Sequence, residues 1–339
     1  MTDLILALDQ GTTSSRSILF TEKAEIRAVA SEPLECRYPD SGWVEQDPEA
    51  IWETQRSTIV KVLDQAGIGL SEVSAIGITN QRESTIAWNR ETGEALCPAI
   101  NWQCRRTAGF CDELKEEGFD ELIRNRTGLV TDPYFSGTKM HWILQNVPEA
   151  ANLARQGKLC FGTVDSWLIW KLSGGTTHAI EISNASRTLV FDIQKCEWDS
   201  EILSRFGIPP ESLPEVVPSS GVITEVDESL FGGSAPIAGA AGDQQAALFG
   251  QACFSPGMAK NTYGTGCFMI SNTGKHLVRS QNGLLTTIGW KLGDEVTYAL
   301  EGSVFIAGAL VQWLRDGLEL FKNAAETESM ALSVTDSGG

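Results

Sequence analysis

Apolar residues near the N-terminus occur in short runs that polar residues interrupt every few positions. Residues 4–8, 15–20 and 25–30 have this pattern, which predicts three strands. The intervals between the runs are too short for helices, so we expect the strands to pair largely by hairpins. Residues 51–66 differ, because apolar side chains cluster there over sixteen positions and acidic residues stand just before them. That pattern predicts a helix.

Strands and helices alternate further along the chain. The pattern predicts strands at 73–78 and 84–88, and helices at 107–117, 138–145, 163–171 and 303–320. Four prolines in 208–220 separate the helix-rich middle from the C-terminal third of the chain. We therefore expect a mixed α/β protein rather than a plain doubly wound sheet, with an N-terminal domain over 1–234 and a second domain over 235–339.

One local pattern occurs twice, about 250 residues apart. Residues 7–20 and 259–271 each read as a strand, a turn rich in glycine and threonine, and a returning strand. The second turn is Gly264-Thr265-Gly266. A duplicated domain explains both units, and two unrelated glycine-rich hairpins are the alternative.

Composition excludes several classes of function. The 339 residues contain 26 Lys and Arg against 44 Asp and Glu, so the net charge is −18. A protein that binds the phosphate backbone of nucleic acid needs a basic face, so we expect no nucleic-acid partner. The start of the chain does not resemble a signal peptide, and no apolar run reaches the ~18 residues of a membrane span. We expect a cytoplasmic protein.

The cysteines and histidines do not indicate a metal centre. The eight cysteines form no C-x-x-C pair, and the three histidines are far apart in the sequence. This spacing argues against a zinc site and favours thiols that stay reduced.

The first glycine-threonine turn, residues 11–15, is a candidate phosphate site. Its small residues let backbone N–H groups approach phosphate oxygens, and the sequence has no G-x-x-x-x-G-K-[ST] loop that would do so instead. Asp9, at the end of the preceding strand, has the ligand type that Mg²⁺ prefers beside a nucleotide. The alternative is an ordinary hairpin turn.

Residues 79–83 form a polar cluster between two apolar strands. The guanidinium of Arg82 and the carboxylate of Glu83 together can bind adjacent hydroxyls of a polyol. The alternative is a solvated turn with a local ion pair. Four aromatic residues flank the polar motifs and can cover the carbon face of such a polyol, with core packing as the alternative; they are Trp102, Tyr134, Phe135 and Phe268.

Asp243 opens a helical stretch after an apolar run. Its position is typical of an N-cap, which is the structural interpretation. The functional interpretation is a general base that accepts a hydroxyl proton during phosphoryl transfer. Both roles are compatible only if one carboxylate oxygen stays free.

Four separated motifs resemble the FGGY carbohydrate kinases, and among them the members that phosphorylate glycerol. They are DQGTTSSR from Asp9, TNQRE from Thr79, AGDQQAALFGQ around Asp243 and NTYGTGCF from Asn261. A further family pattern of an aromatic residue, Ser, Lys and Trp is met by Tyr134, Ser136, Lys139 and Trp142. The resemblance extends over essentially the whole chain, and the order of the motifs makes it specific.

The resemblance implies an actin-like, ribonuclease-H-like ATPase fold of two duplicated domains with the active site between them. It implies transfer of the ATP γ-phosphate to glycerol, giving sn-glycerol 3-phosphate. It assigns phosphate contacts to Thr12, Thr13, Ser14, Arg16 and Thr265, the nucleotide site of the second domain to Gly308 and Gln312, glycerol binding to Arg82, Glu83, Tyr134, Asp243 and Gln244, an apolar wall to Trp102 and Phe268, and Mg²⁺ to Asp9. Asp243 would be the base.

Family members continue past residue 339, so the resemblance implies an incomplete second domain, weak ATP binding and little turnover for this chain. It also implies a homo-oligomer at full length. Residues 227–236 contain no Lys or Arg, where members regulated by fructose 1,6-bisphosphate have a Gly/Arg loop. We expect insensitivity to that effector. The alternatives are a pentulose or gluconate kinase of the same family and a non-catalytic actin-like nucleotide-binding module.

Overall fold

The computed structural model describes residues 3–264 and 266–338. The strands are β1 Leu4–Gln10, β2 Ser14–Thr21, β3 Ile26–Pro33, β4 Glu45–Gln46, β5 Ala75–Asn80, β6 Ile86–Asn89, β7 Ala99–Ile100, β8 Leu159–Gly162, β9 Ala179–Glu181, β10 Phe191–Asp192, β11 Glu197–Trp198, β12 Glu215–Val217, β13 Ser220–Glu225, β14 Pro236–Gly242, β15 Ala259–Tyr263, β16 Cys267–Gly274, β17 Leu285–Leu292 and β18 Glu295–Val304. The helices are α1 Pro48–Ala66, α2 Ala108–Glu116, α3 Asp120–Thr127, α4 Ser136–Asn146, α5 Pro148–Arg155, α6 Val164–Leu172, α7 Ile182–Ala185, α8 Ser200–Phe206, α9 Glu228–Phe231, α10 Asp243–Gly250, α11 Gly308–Asp316 and α12 Glu326–Leu332.

The N-terminal strands form the meander that the sequence predicts. β1 pairs antiparallel with β2, and β2 pairs antiparallel with β3. Leu4, Leu6 and Leu8 alternate with more exposed neighbours and are buried in the largest core cluster. Helix α1 packs on β1 to β3 and begins at Pro48, because the side chain of Asp47 accepts a hydrogen bond from the backbone of the first turn. The predicted helix is confirmed, with an earlier start.

Three parallel strands end side by side. β5 pairs in parallel with β1, and β14 pairs in parallel with β5. Their registers place Gln10 beside Asn80 and Asn80 beside Gly242. Ligands of open α/β sheets bind outside the carboxyl ends of the strands. The segments that follow Gln10, Asn80 and Gly242 therefore share one edge of the sheet.

The second glycine-threonine unit repeats the arrangement of the first. β15 pairs antiparallel with β16, and β18 pairs antiparallel with the other edge of β16, as β3 does with β2. β17 pairs with β18, and a single pair, Ser220 with Leu292, links β17 to β13. In the described residues this gives a sheet in the order β15-β16-β18-β17-β13-β14-β5-β1-β2-β3. The shared order of pairing favours duplication over coincidence.

The predicted boundary between residues 234 and 235 falls just before β14. β14 extends the sheet of the N-terminal half through its hydrogen bonds to β5, so the sheet continues across that position. The division at 234 and 235 stays a prediction.

The helix predicted over 303–320 is wrong at both ends. Ser303 and Val304 belong to β18 and pair with Phe268 and Cys267 of β16. Helix α11 begins only at Gly308 and ends at Asp316. Pairing with the second hairpin extends the strand into a segment whose own composition suits a helix.

The helices and the cysteines were each predicted to have a simple property, which the structure describes. No helix in residues 3–264 and 266–338 is long and apolar enough to cross a bilayer. The eight cysteines are free thiols, and burial raises the pKa of the Cys160 thiol to about 12. A buried thiol of this kind is unreactive.

Candidate active site

One small cavity, of about 40 Å³, lies at the carboxyl ends of the three parallel strands. It is lined by Thr12, Gln81, Arg82, Glu83, Trp102, Tyr134, Asp243, Gln244 and Phe268. Every residue that the sequence assigned to glycerol is in this set. They come from segments that are up to 186 positions apart in the chain (268 − 82) and meet because β5 and β14 are neighbours.

The turn between β5 and β6 is buried, so its interpretation as a solvated turn is wrong. Arg82 is 2% exposed and Glu83 is 1% exposed. Glu83 has a φ of 62°, which is uncommon for a residue with a side chain. Its carbonyl oxygen accepts hydrogen bonds from Ser136 Oγ at 3.1 Å and Lys139 Nζ at 3.2 Å. These donors from the start of α4 stabilise the unusual turn.

The carboxylate of Glu301 binds the fork of Arg82. Nη1 of Arg82 donates to Oε2 at 2.6 Å, and Nη2 donates to Oε1 at 2.9 Å. Burial would raise the pKa of Glu301, but the guanidiniums of Arg187 and Arg82 outweigh burial and hold this pKa at about 2. The sequence predicted that the Arg82 guanidinium binds hydroxyls of a polyol. In the structure, two of its nitrogens donate to the buried carboxylate of Glu301 instead.

Arg187 completes a cluster of two arginines and two glutamates. Its Nε donates to Glu83 at 2.7 Å, and its Nη2 donates to Glu301 at 3.0 Å. Burial raises the pKa of Glu83, and Arg82 and Arg187 oppose that rise. Buried charges are tolerated when they are paired and hydrogen-bonded, as these four are. The contacts of Arg82 with other cavity residues are Nε to Asp243 at 3.4 Å and Nη2 to Tyr134 at 3.5 Å.

Asp243 is the first residue of α10, and the N-cap is Gly242. The interpretation of Asp243 as the N-cap is therefore wrong. Its Oδ1 accepts from the backbone of Gln244 at 2.7 Å, and its Oδ2 accepts from Gln244 Nε2 at 3.0 Å. The two oxygens of a carboxylate accept about four hydrogen bonds. The Asp243 side chain is 41% exposed, so a ligand in the cavity can reach the remaining positions.

Gly242 lets α10 start close to Arg82. A Cβ at this position would lie 2.7 Å from Cδ of Arg82, well inside van der Waals contact. The backbone N–H of Gly242 donates to Ser183 Oγ at 3.0 Å. The glycine is therefore needed for a close approach rather than for its dihedral angles.

Aromatic side chains cover one side of the cavity. The ring of Trp102 lies edge-on to Tyr134 at 5.7 Å and to Phe268 at 6.2 Å. Phe305, which the sequence did not suggest, lies 5.0 Å from Tyr134. Trp102 Nε1 donates to Thr12 Oγ1 at 2.9 Å, so this wall reaches the first glycine-threonine turn.

The residues predicted to meet phosphates lie on the β1–β2 hairpin with different exposures. Gly11 N–H donates to Ser14 at 2.9 Å and closes the turn. Thr12 lines the cavity, Ser14 is half-buried, and Thr13 and Arg16 are exposed. The hairpin therefore reaches the cavity through Thr12.

Asp9 lies across β1 and β2 from Arg16, with 3.9 Å between Oδ2 and Nη1. Burial raises the pKa of Asp9, Arg16 lowers it, and the nearby carboxylate of Asp243 raises it further. Like charges that interact in this way are stabilised by a cation. No group of three or more side chains that could hold a metal ion is present in the described residues.

The second hairpin lies next to the start of α11. Thr265 falls outside the described residues. The N–H of Gly308 donates to the carbonyl of Gly264 at 2.9 Å, so the helix begins at the hairpin turn. Gln312 is exposed one turn later, and residues four apart share a helix face. Gly308 and Gln312 are thus placed on one side of α11 beside the hairpin.

Sequence reasoning missed Glu301, Arg187, Lys260 and Phe305. The sequence does contain a signal for Glu301. It lies two positions after Ala299 and therefore on the same, buried face of β18. A charged residue on a buried face needs a partner of opposite charge. The identity of that partner depends on which strands are neighbours, which the alternation does not reveal.

Comparisons with known proteins agree over the whole chain. Residues 4–250 match the N-terminal domain, and residues 259–338 the C-terminal domain, of the FGGY family of carbohydrate kinases. The chain is 57% identical over 336 residues to a glycerol kinase from Carboxydothermus hydrogenoformans, and 59% identical over 335 residues to one from Symbiobacterium thermophilum. Each alignment covers 99% of this chain and 67% of the relative.

A solved structure is similar to the same extent. The crystal structure of Plasmodium falciparum glycerol kinase with ADP matches with a TM-score of 0.91 at 34% identity, covering 99% of this chain and 67% of that one. The chain spans about two thirds of the length of these relatives.

Proposed function

The chain belongs to the FGGY family of carbohydrate kinases, and from this premise we propose that it transfers the γ-phosphoryl group of ATP to a terminal hydroxyl of glycerol, giving sn-glycerol 3-phosphate. One observation carries the proposal. A single cavity joins the carboxylate of Asp243, the buried pair of Arg82 and Glu83, and an aromatic wall, beside a glycine-threonine hairpin.

The family resemblance and the actin-like, ribonuclease-H-like fold predicted from the motifs are confirmed. The two family domains match on either side of residues 251–258, which lies C-terminal to the predicted division at 234 and 235.

The cavity suits a small triol. Glycerol has three carbons, which the rings of Trp102 and Phe268 can cover, and three hydroxyls, which need polar partners on the opposite side. Arg82, Glu83 and Tyr134 supply those partners, and the guanidinium and carboxylate side chains are already positioned by buried neighbours. Such preorganisation reduces the entropic cost of binding.

Asp243 is the proposed general base. Its carboxylate retains acceptor positions beyond those that Gln244 fills, so it can take the proton of the attacking hydroxyl. Phosphoryl transfer passes through a loose, highly charged transition state, in which positioning and charge neutralisation contribute most.

Backbone N–H groups and side chains of the β1–β2 turn are proposed to bind the phosphates. Thr12, Thr13, Ser14 and Arg16 lie on this turn. Thr265, Gly308 and Gln312 are proposed to bind the nucleotide from the second half. Asp9, with Asp243 nearby, would hold Mg²⁺, which when bound neutralises phosphate charge. Closure of the two halves around both substrates would exclude water and prevent hydrolysis of ATP.

The test is a single-turnover assay of the 339-residue chain with radiolabelled ATP, Mg²⁺ and one acceptor at a time. Single turnover detects product even if later turnovers are slow. We expect label in glycerol 3-phosphate, with kcat/KM for glycerol at least about 100-fold above that for xylulose, ribulose or gluconate. Preference for one of those sugars would replace glycerol as the substrate. Nucleotide binding with no acceptor phosphorylated would favour the non-catalytic module.

The proposal also includes an oligomeric state and a location in the cell. We expect a homo-oligomer for the full-length protein, which light scattering can measure, and a cytoplasmic location, which fractionation of cells can test.

A further inference from the structure

Lys260 lies on β15, and the sequence did not assign it to the site, although it is only 8% exposed. We propose that Lys260 is a positioning residue, which sets the orientation of the Gln244 side-chain amide so that this amide donates a hydrogen bond to the carboxylate of Asp243. The inference rests on the proposed function, because it assigns a partner to the same base.

The contacts of Lys260 place it behind Gln244. Its Nζ donates to Oε1 of Gln244, to Oγ1 of Thr262 at 2.7 Å and to the carbonyl of Phe268 at 3.4 Å. An ammonium has three donors, and here all three have acceptors within the described residues. Lys260 is therefore engaged by the protein, and we infer an indirect role rather than a direct contact with phosphate.

The two ends of the Gln244 amide face opposite charges. Oε1 faces the ammonium of Lys260, and Nε2 donates to Oδ2 of Asp243 at 3.0 Å. An ammonium only donates and an ionised carboxylate only accepts, so one orientation of the amide satisfies both neighbours. A flipped amide would place two donors together at Lys260 and two acceptors together at Asp243.

Without Lys260, one of these two constraints disappears. Gln244 is 6% exposed, so solvent is a poor substitute for the lost ammonium. The amide could then turn, and the Asp243 carboxylate would lose the donor that holds its Oδ2. Because β15 belongs to the second hairpin, Lys260 also connects that hairpin to the base at the start of α10.

The charge state of Lys260 gives the role a pH signature. Burial lowers the pKa of Lys260 to about 8. Asp243 and Glu301 oppose this decrease, and Arg82 adds to it, while Cys253 also faces the ammonium. As the pH rises through about 8, the ammonium loses its charge and one of its three N–H donors, which weakens its hold on the Gln244 amide.

The first test compares K260M and K260R with K275M. Lys275 is the matched control, because it lies just after β16, is 71% exposed and pairs with exposed Glu295. In single-turnover assays we expect K260M to lower the rate of glycerol phosphorylation at least about tenfold, with the glycerol Kd raised no more than about threefold. K275M should match the wild type. A wild-type rate for K260M would overturn the proposal.

The pH profile separates positioning from simple support of the fold. We expect the wild-type rate to fall above about pH 8, because neutral Lys260 loses its charge-assisted contact. Arginine stays charged, so K260R should retain a substantial rate and lose this alkaline fall up to about pH 9.5. An alkaline fall in K260R equal to that of the wild type would contradict the role of Lys260.

A third measurement does not depend on turnover. The side-chain amide of Gln244 can be observed by NMR in protein labelled with ¹⁵N-glutamine and assigned with Q244A. We expect its resonances to move in K260M and to stay in place in K275M, with both variants folded by circular dichroism. An unmoved Gln244 resonance in folded K260M would refute the proposal. Failure of the proposed function would instead appear as a wild-type chain that phosphorylates no acceptor.

Discussion

At the scale of single residues, the site depends on charges that are removed from water and paired. Arg82 and Glu83 belong to the first half of the chain, whereas Glu301 belongs to a strand of the second half. The cluster therefore holds the proposed polyol-binding groups and also connects the two halves. Asp243, 41% exposed at the edge of the same cavity, is the more exposed of the two carboxylates that line it.

Replacing Asp243 by Asn should abolish turnover while glycerol still binds. The amide keeps the shape of the carboxylate but accepts no proton, so we expect the single-turnover rate to fall by about 100-fold or more. The glycerol Kd from calorimetry should change little. D294N, at an exposed position on the β17–β18 turn, is the control and should match the wild type. A D243N rate close to the wild-type rate would remove Asp243 as the base.

Replacing Glu301 by Gln should weaken both folding and glycerol binding. The variant leaves Arg82 and Arg187 buried with one anion fewer, and breaking a buried pair typically costs about 3–5 kcal/mol. We expect the free energy of unfolding in urea to fall by about 3 kcal/mol and the glycerol Kd to rise. E295Q on the same strand removes an exposed pair and should change stability by less than about 1 kcal/mol. Equal stability of E301Q and E295Q would contradict this account of the cluster.

At the scale of elements, two strand ends decide where the groups lie. β5 and β14 end beside each other, so the turn after β5 and the first turn of α10 are in contact. Lys139 and Ser136 of α4 then hold the Glu83 turn from behind. The site is thus built on the ends of rigid strands and helices, which restricts its movement.

Adding a methyl group at Gly242 should impair the site without unfolding the protein. The Cβ of G242A would push against Arg82, so we expect kcat/KM for glycerol to fall about tenfold or more. G250A is the control on the same helix, since a Cβ there meets nothing within 4 Å. The assay is the same acceptor phosphorylation for both variants. Wild-type kinetics for G242A would show that Arg82 can move away from the new Cβ without any effect on the reaction.

Buried Glu181 should make the stability of the fold depend on pH. It is fully buried between α7 and β13 and accepts hydrogen bonds from Ser183, Ser219 and the N–H of Asn184. Burial raises its pKa from 4.5 to about 7. Between these values the folded state binds more protons than the unfolded state, so the free energy of unfolding falls as the pH rises.

The E181Q variant tests this sign. We expect the wild type to lose on the order of 1–3 kcal/mol of unfolding free energy between about pH 5 and pH 8 through this group, and E181Q to lose correspondingly less. Urea unfolding at both pH values measures the difference. E197Q, at an exposed position, should keep the wild-type slope. An E181Q slope as steep as that of the wild type would assign the pH dependence to other groups.

At the scale of the whole molecule, the net charge limits which ligands the surface can bind. The net charge of −18 makes the surface unfavourable for anionic partners away from dedicated cationic sites. The segment 227–236 carries α9, whose start is capped by the side chain of Asp227, and its charged residues are acidic.

Fructose 1,6-bisphosphate should therefore leave the enzyme unaffected. A sugar bisphosphate needs cationic donors, which segment 227–236 does not supply. We expect an unchanged rate of glycerol phosphorylation at about millimolar effector. ADP serves as the positive control, because a product that competes for the nucleotide site must inhibit. Inhibition by the bisphosphate at that concentration would reveal a cationic site elsewhere.

Local patterns in the chain were sufficient for the N-terminal strands and for the first helix, whereas the resemblance to the family grouped the site residues. Alternation placed β1, β2 and β3, and helical spacing with an acidic start placed α1, because these signals depend on neighbours within a few residues. The motifs around Arg82, Asp243 and Phe268 identified residues that share a cavity. Their family, rather than their spacing, supplied that grouping.

Contacts between distant segments could only be decided by the fold. Val304 lies in a strand because β16 pairs with it, and Arg82 binds Glu301 because the fold brings the turn after β5 against the side chain of a residue on β18. Lys260 contacts Gln244 from β15, whose position is set by its pairing with β16. The sequence by itself determined which residue types are available and how they are spaced locally. The tertiary structure decided which charges share a desolvated site, because a buried charge is stable only where the packing of remote strands brings it a partner.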